Sequence, residues 1–231
     1  MVGVIDYGAG NLGSVMNALK RLGVPARFAS GPGELQTAAD GSAGASPFER
    51  IIFPGDGHFA TAMETLEQSG YAQVLREWIG ADRPFLGICI GLQLLLDYSE
   101  EAGYVPADVA APAGAAASAD ASAGHGAVKG LGVLPGTVRR FPGRKIPQIG
   151  WNQTAAKNGS RLFRGLPANS FFYYIHSYYA DPDDAGAVSA EAEYYVRYCS
   201  AVERGELAAV QFHPEKSGPA GLRLLENWVR G

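Results

Sequence analysis

The chain has 231 residues, 47% of them hydrophobic and 18% charged, with a formal net charge of −4. This composition is ordinary for a globular protein with a sizeable core, and its acidic balance argues against a general nucleic-acid binder. No signal peptide and no apolar stretch of roughly 20 residues is evident, and two cysteines are too few for a disulfide framework, so we expect a cytoplasmic protein without a membrane partner.

The N-terminal half alternates short apolar runs with amphipathic stretches. Strands that alternate with helices predict a parallel sheet covered on both faces. The predicted elements in chain order are strands at 2–6, 25–30, 50–53 and 84–88, a helix capped by Asn11 and ending at Leu22, and an amphipathic segment from Phe59 to Ile79.

After Gly130 the pattern becomes rich in aromatic and β-branched residues, which favours strands. The pieces are TVRRF, KIPQIGWN, SFFYYIHSYY, EYYVRYCS and LAAVQF, and Pro219 suits the first turn of a closing helix. We therefore predict an α/β fold with a mixed, largely parallel central sheet flanked by helices.

Two segments have the composition of insertions. The short one covers residues 40–47, and the longer one, at about 105–128, consists almost entirely of Ala, Gly, Ser, Pro and Asp. Such a segment buries too little side chain to offset its ordering entropy, so we expect a mobile loop. The expectation is a single domain over 1–231 that carries this insertion.

The segment GAGNLG (8–13) is a literal G-x-G-x-x-G between a predicted strand and a predicted helix. A dinucleotide site would also need an acidic residue about 20 positions on, which PARFAS does not supply, and Asp6 precedes the loop where a pyrophosphate would be repelled. A tight structural turn is the favoured interpretation, and a nucleotide site is the alternative.

In FLGICIGLQ (85–93), Gly87 and Gly91 stand two residues either side of Cys89. With serine, this spacing forms the nucleophile elbow, in which a strained turn lifts the nucleophile clear of the sheet. A helix that begins after Cys89 would point its amides at the sulfur and favour the thiolate. Cys89 is therefore either a nucleophile or a small packing residue.

The segment QFHPEKSG (211–218) contains a base for such a thiol. In an extended segment the side chains of His213 and Glu215 project on the same side, and Pro214 favours the extended conformation of His213. A carboxylate beside an imidazole fixes its tautomer and stabilises its cation. The alternative is a surface pair at a strand end.

The segment PGDGHF (54–59) directly follows a predicted strand. Its glycine-rich turn can present backbone N–H groups to an oxyanion, as acyl transfer requires, or it can be an ordinary strand-end turn.

Several segments together match one family. The sequence resembles the class I glutamine amidotransferases, with which it shares the cysteine turn and the HPE segment, and more narrowly the glutaminase subunits of imidazole glycerol phosphate synthases. The narrower resemblance rests on DYGAGN (6–11), IGWN (149–152) and HSYY (176–179), and PGDG, GLGVLPG and QFHPEKSG extend it over nearly the whole chain. It implies a flavodoxin-like three-layer fold.

The resemblance implies that a triad of Cys89, His213 and Glu215 hydrolyses L-glutamine without a metal or cofactor. Cys89 attacks the side-chain amide, His213 moves the protons, and Glu215 orients His213. The other implied site residues are Gly55, Gln93, Glu101, His176, Ser177 and Tyr178 for the amino-acid end of glutamine, and Asp56, Gly57 and Ile90 for the oxyanion.

The resemblance also implies a partner, a (β/α)8-barrel synthase subunit in a heterodimer, because free ammonia in water is quickly protonated. The ammonia passes through the barrel to a ribulosyl aminoimidazole carboxamide ribonucleotide. Trp151 is the expected anchor of the interface, with Asn152 and Gln148 beside it.

Two positions depart from the family pattern, and the Ala-rich insertion, which closely follows Glu101, is a third departure. Asp56 stands where valine is usual, and a carboxylate near a developing negative charge is unfavourable unless it points away. Gln148 stands where histidine is frequent. Three alternatives remain: the glutaminase of another pathway such as pyridoxal phosphate synthesis, a catalytically silent subunit of the same fold, and a nicotinamide-binding oxidoreductase.

Overall fold

The computed structural model describes residues 1–8, 10–36, 46–101 and 127–231. Within these ranges five α-helices accompany a sheet of thirteen strands. The helices are α1 (Leu12–Arg21), α2 (Phe59–Ser69), α3 (Tyr71–Gly80), α4 (Ile90–Gln93) and α5 (Gly218–Arg230). The strands are β1 (Val2–Ile5), β2 (Ala26–Ala29), β3 (Arg50–Gly55), β4 (Phe85–Cys89), β5 (Leu96–Ser99), β6 (Val128–Lys129), β7 (Leu134–Arg140), β8 (Gln148–Ala156), β9 (Asn169–His176), β10 (Tyr178–Pro182), β11 (Val188–Tyr194), β12 (Val196–Arg204) and β13 (Leu207–Val210).

The sheet is mixed, as the sequence predicts. Its order is β2-β1-β3-β4-β13-β12-β10-β7-β5-β6, and β11 joins β12 to the antiparallel β8–β9 pair. The pairs β1–β2, β1–β3, β3–β4 and β4–β13 are parallel. The carboxyl ends of β1, β3, β4 and β13 therefore meet at one edge, where α/β sheets usually bind ligands.

Helices cover both faces of the parallel part of the sheet. Successive residues of a strand point to opposite faces, so neighbouring residues pack into different cores. Val4 belongs to a core shared with α1 and α5, which contribute Leu19 and Leu224. Its neighbour Ile5 belongs to the opposite core, with Leu66 of α2 and other residues of α2 and α3. This arrangement is the predicted three-layer fold. Within the described ranges, none of the helices has the length and apolar character to cross a bilayer.

Three predicted elements differ from the structure. The amphipathic segment from Phe59 to Ile79 is two helices, since Gly70 adopts a left-handed φ of 80° that ends α2. EYYVRYCS is not one strand, because Tyr195 (φ 61°) forms the turn between β11 and β12. SFFYYIHSYY likewise divides into β9 and β10 at Ser177.

The remaining differences are at ends and insertions. Asn11 occupies the N-cap position of α1, but its side chain makes no capping hydrogen bond. Residues 40–45 and 105–126 of the predicted insertions lie outside the described residues. Val128, assigned by prediction to the longer insertion, instead begins β6, which pairs with β5.

Candidate active site

Cys89 ends β4 and stands directly before α4, with φ 56° and ψ −108°. Few non-glycine residues adopt such a conformation, and it is typical of functional turns. A Cβ atom at Gly87 would lie 2.6 Å from the Gly91 carbonyl oxygen, and one at Gly91 would collide with the Phe53 carbonyl oxygen. The G-x-C-x-G spacing is therefore a steric requirement of the sharp turn that presents the sulfur.

His213 and Glu215 form a buried pair beside this turn. The distance from His213 Nδ1 to Glu215 Oε1 is 2.8 Å, and the two side chains are 4% and 1% exposed. The backbone differs from the predicted extended segment, since Pro214–Lys216 form a 3₁₀ turn after an extended His213. The Ser217 hydroxyl donates to the His213 carbonyl at 2.6 Å and fixes this turn.

The imidazole of His213 also interacts with the Cys89 sulfur. Its Nε2 is buried and makes no well-directed hydrogen bond within the described chain. Burial lowers the pKa of His213, but the interactions with Cys89 and then with Glu215 outweigh burial and raise it to about 10. The ring is consequently protonated at neutral pH, as an acid that delivers a proton to a leaving group must be.

A cavity of about 340 Å³ opens over Cys89 at the carboxyl edge of the parallel strands. It brings together most of the residues predicted for the site. The predicted residues that line it are Asp56, Gly57, Cys89, Ile90, Gln93, Glu101, His176, Ser177, Tyr178 and His213. Glu215 and Gly55 do not line the cavity but contact residues that do, Glu215 through His213 and Gly55 through Ile90.

The turn after β3 forms one side of the cavity. Gly55 pairs with Cys89 in the parallel ladder, and its Cα leaves no room for a side chain against Ile90. Asp56 Oδ1 accepts a hydrogen bond of 2.9 Å from the Gly10 amide. The Asp56 carboxylate is thus held by the loop after β1.

The Gln93 side chain is buried, and its amide nitrogen donates two hydrogen bonds inside the protein. Its Nε2 donates to the Tyr178 carbonyl at 2.9 Å and to Gln211 Oε1 at 3.0 Å. Gln211 Nε2 in turn lies 3.7 Å from the Cys89 sulfur. Sequence reasoning missed Gln211, although its place two residues before His213 in an alternating segment was an available signal.

Glu101 lies at the other end of the cavity and holds the start of α2. Its Oε2 accepts from the Phe59 amide at 2.7 Å, and its Oε1 lies 2.9 Å from His58 Nδ1. His58, which no sequence motif indicated as a site residue, lies on the cavity wall beside Glu101. Glu101 therefore brings a buried carboxylate to the cavity that also contains Cys89.

His176 is a neutral wall residue. Burial lowers its pKa to about 4, and its Nδ1 donates to the Tyr178 carbonyl at 2.8 Å. The ring packs edge-on against Phe141. The imidazole can therefore shape the cavity, and it carries no charge for the substrate at neutral pH.

The chain matches the family model "Glutamine amidotransferase class-I" over residues 3–231. It belongs to the class I glutamine amidotransferase family.

Its relatives include the imidazole glycerol phosphate synthase subunit HisH of Desulfitobacterium hafniense, 41% identical over 233 residues, which cover 99% of this chain and 95% of the relative. The HisH subunit of Moorella thermoacetica is 42% identical over 228 residues, 98% of this chain and 93% of that relative. A solved glutamine amidotransferase shares the fold, with a TM-score of 0.65 at 20% identity, over 99% of this chain and 97% of the other.

The glycine loop of this amidotransferase is part of the same site. The Gly8 amide donates to Asp6 Oδ1 at 3.0 Å, and Gly10, with φ 103°, packs against the backbone of Pro54 and Gly55. These contacts fit the structural turn that the sequence analysis favoured, because the loop supports the turn after β3. Among the residues that the structure describes, no three His, Cys, Asp or Glu side chains are grouped so that they could hold a metal ion.

The amidotransferase exposes an apolar face on the β8–β9 pair, close to the cavity. Strand alternation directs Trp151, which is 57% exposed, outward, and Tyr173 lies opposite it in the register. The outward apolar residues of this face are Ile149, Trp151, Phe171 and Ile175. We call these four residues the β8–β9 face.

The other two predicted interface residues are placed differently. Gln148 is buried and accepts a hydrogen bond from the Tyr198 hydroxyl at 3.1 Å. Its side chain therefore does not reach the surface, contrary to the prediction that it lies in the interface beside Trp151. The same alternation that exposes Trp151 directs Gln148 inward. Asn152 is half-buried, and its amide donates to the Glu193 carbonyl at 3.0 Å.

Proposed function

We propose that this chain is the glutaminase subunit of an imidazole glycerol phosphate synthase and hydrolyses L-glutamine to glutamate and ammonia. The observation that carries the proposal is the convergence of Cys89, His213 and Glu215 at one cavity. The family membership and two relatives of about 40% identity over nearly the whole chain support it. A silent subunit would not need to retain all three groups.

The proposed reaction begins with the Cys89 thiolate, which attacks the side-chain amide carbon of glutamine. The carbonyl π electrons move to oxygen, and the amides of the turn after β3 and of Ile90 stabilise that oxyanion. Protonated His213 gives its proton to the leaving nitrogen, the C–N bond breaks, and ammonia and a γ-glutamyl thioester form. His213 then takes a proton from water, whose oxygen attacks the thioester carbon. The C–S bond breaks, glutamate leaves with its carboxyl proton passing to ammonia, and the Cys89 thiolate and protonated His213 are restored.

We assign the amino-acid end of glutamine to Gln93, Glu101 and the segment from His176 to Tyr178, which line the cavity. Glu101 would meet the ammonium group. The Gln93 amide hydrogens are engaged inside the protein, so its role is to shape the wall and support Tyr178.

The partner that we propose is a (β/α)8-barrel synthase subunit, which uses the ammonia to make imidazole glycerol phosphate and aminoimidazole carboxamide ribotide in histidine biosynthesis. The β8–β9 face supports this, because it is an exposed apolar surface near the cavity, and such patches mark interaction sites. We further propose a cytoplasmic location and a single domain over residues 1–231.

The test is the rate of glutamate release by the purified chain, alone and with its candidate synthase subunit and that subunit's nucleotide ligand. We expect release to be strongly stimulated by the partner. Stimulation by the barrel protein of pyridoxal phosphate synthesis instead would assign the chain to the alternative pathway, and no release with either partner would refute the glutaminase assignment.

A further inference from the structure

Gln211 is a fully buried polar residue that the proposed reaction does not yet use. It directly follows β13, where Val210 pairs with Ile88 in the parallel ladder, and this register places Gln211 beside Cys89. Its Nε2 lies 3.7 Å from the Cys89 sulfur. Gln211 is not among the residues that line the cavity, so it meets the sulfur from the side of the protein interior.

The orientation of the Gln211 amide follows from its neighbours. The Tyr178 carbonyl can only accept a hydrogen bond, so the Gln93 atom that faces it must be the amide nitrogen. The same nitrogen faces Gln211 at 3.0 Å, so the Gln211 atom there must be the carbonyl oxygen. The Gln211 NH₂ group is therefore directed at the sulfur.

We propose that Gln211 is a positioning residue that donates a hydrogen bond to the Cys89 sulfur and stabilises its thiolate form. A thiolate accepts more strongly than a thiol, since hydrogen bonds to charged acceptors are about twice as strong as neutral ones. The competing contact is that of the thiol, which donates to the Ile175 carbonyl at 3.8 Å. Loss of the thiol proton removes this contact and strengthens the bond from Gln211.

Other charged and titratable groups act on the same sulfur. His213 is the cation beside it, and Tyr7 and Asp56 belong to the elements packed around it. Gln211 differs from them because it carries no charge and its donor direction is fixed by Gln93. The series of hydrogen bonds that joins Tyr178, Gln93 and Gln211 also connects the cavity wall to the sulfur.

A purely structural role is the rival explanation. In that case Gln211 only satisfies the Gln93 amide, and its loss would lower stability without changing the sulfur. The two explanations differ in the reactivity of Cys89, which can be measured without glutamine. The inference deepens the proposed function, because it concerns the same nucleophile, but its test does not require that function.

The test is the rate at which iodoacetamide alkylates Cys89 at pH 7 in the full chain, with peptide mass spectrometry to distinguish Cys89 from Cys199. Gln211→Met keeps the length of the side chain and removes the donor, so we expect about a tenfold slower alkylation. The matched control is Tyr71→Phe, which removes a buried hydrogen bond to the Ala29 carbonyl on β2, at the far edge of the sheet, and should leave the rate unchanged. An unchanged rate in Gln211→Met would overturn the inference.

A second measurement does not depend on the folding of a Gln211 variant. In ¹⁵N NMR spectra we expect the Gln211 side-chain amide to shift more than other glutamine amides when Cys89 is replaced by alanine. An unshifted Gln211 amide would also overturn the inference. If glutamine is not hydrolysed at all but alkylation responds as expected, the proposed function fails while this inference stands.

Discussion

The Asp56 carboxylate accepts a hydrogen bond of 2.9 Å from the Gly10 backbone amide. The bond connects the glycine loop after β1 to the turn that carries the proposed oxyanion donors. A carboxylate near a developing oxyanion is unfavourable. The Asp56 carboxylate is directed at Gly10, so the backbone amides of its own turn can face the cavity. The two loops, GAGNLG and PGDG, therefore form one structural unit.

Replacing Asp56 tests this unit. Asp56→Ala removes the acceptor, and we expect a glutaminase rate about fivefold lower and a loss of about 1 kcal/mol in the free energy of unfolding. Asp56→Asn retains an oxygen that can accept from Gly10 and should stay near the wild type in both. Steady-state kinetics in the assembled complex and urea unfolding measure the two effects. Equal losses of rate and stability in Asp56→Asn and Asp56→Ala would contradict the role of the bond.

Cys89→Ala should abolish glutamine-dependent activity, since alanine cannot form the thioester. The synthase reaction of the complex should continue with added ammonium salts, because the partner then receives ammonia directly. The matched control is Cys199→Ala at the other buried cysteine, whose thiol donates to the Ala201 carbonyl on β12. Residual glutamine hydrolysis by Cys89→Ala would show that another group is the nucleophile.

The free energy of unfolding should depend on pH through His213. Its pKa rises from 6.5 to about 10 on folding, so in this window the folded state binds more protons than the unfolded state. This contribution to stability is complete below about pH 6.5 and is lost as the pH rises through about 10. Urea unfolding at several pH values in this range measures the effect. The free energy of unfolding should fall more steeply with rising pH in the wild type than in His213→Gln.

Glu215→Gln adds a check on the cause of that shift. The variant keeps an acceptor for Nδ1 but removes the negative charge, so the pKa of His213 should fall. NMR titration of the His213 ring measures it directly. A pKa equal in the wild type and Glu215→Gln would exclude the carboxylate as a cause.

His58 should affect glutamine binding through Glu101. His58→Ala removes the contact with Glu101 Oε1, and we expect KM for glutamine to rise about tenfold with a smaller change in kcat. Asn places a donor nitrogen at the position of Nδ1, so His58→Asn should recover most of the affinity. Kinetics in the complex measure both, and a change confined to kcat would argue against this role.

Trp151→Ala should weaken association with the synthase subunit by about 2 kcal/mol, or roughly 30-fold in Kd, because exposed aromatic anchors dominate interface energy. Phe28→Ala is the matched control, since Phe28 is an exposed aromatic residue on β2 at the far edge of the sheet. Titration calorimetry compares the two variants. Equal affinities would remove Trp151 from the interface.

Local rules predicted some of these features directly. Gly87 follows from local sterics, since the Gly91 carbonyl lies four residues on, whereas Gly91 is required by the Phe53 carbonyl on β3. The pairing of His213 with Glu215 was predicted from their separation of two positions, although a 3₁₀ turn, not an extended segment, brings the two side chains together. The apolar runs of β1, β3 and β4 predicted buried parallel strands because both faces of such strands are covered. The residues that the resemblance assigned to the site also largely line one cavity.

Local rules failed where distant contacts decide the outcome. EYYVRYCS has the composition of a strand, yet Tyr195 turns and β11 and β12 pair with each other as an antiparallel hairpin, which β8 and β13 flank. Gln148 and Trp151 lie in one motif, and only the packing of β8 makes the first buried and the second exposed.

By itself, the sequence determined the elbow, the histidine–glutamate pair and the alternation of the parallel half, since each depends on the geometry of neighbouring residues. Only the tertiary structure brought Gln211 to the Cys89 sulfur, His58 to Glu101 and Asp56 to Gly10. Each of the three contacts joins residues more than 40 positions apart in the chain, and hydrogen bonds of this kind require the register of the sheet to be formed first.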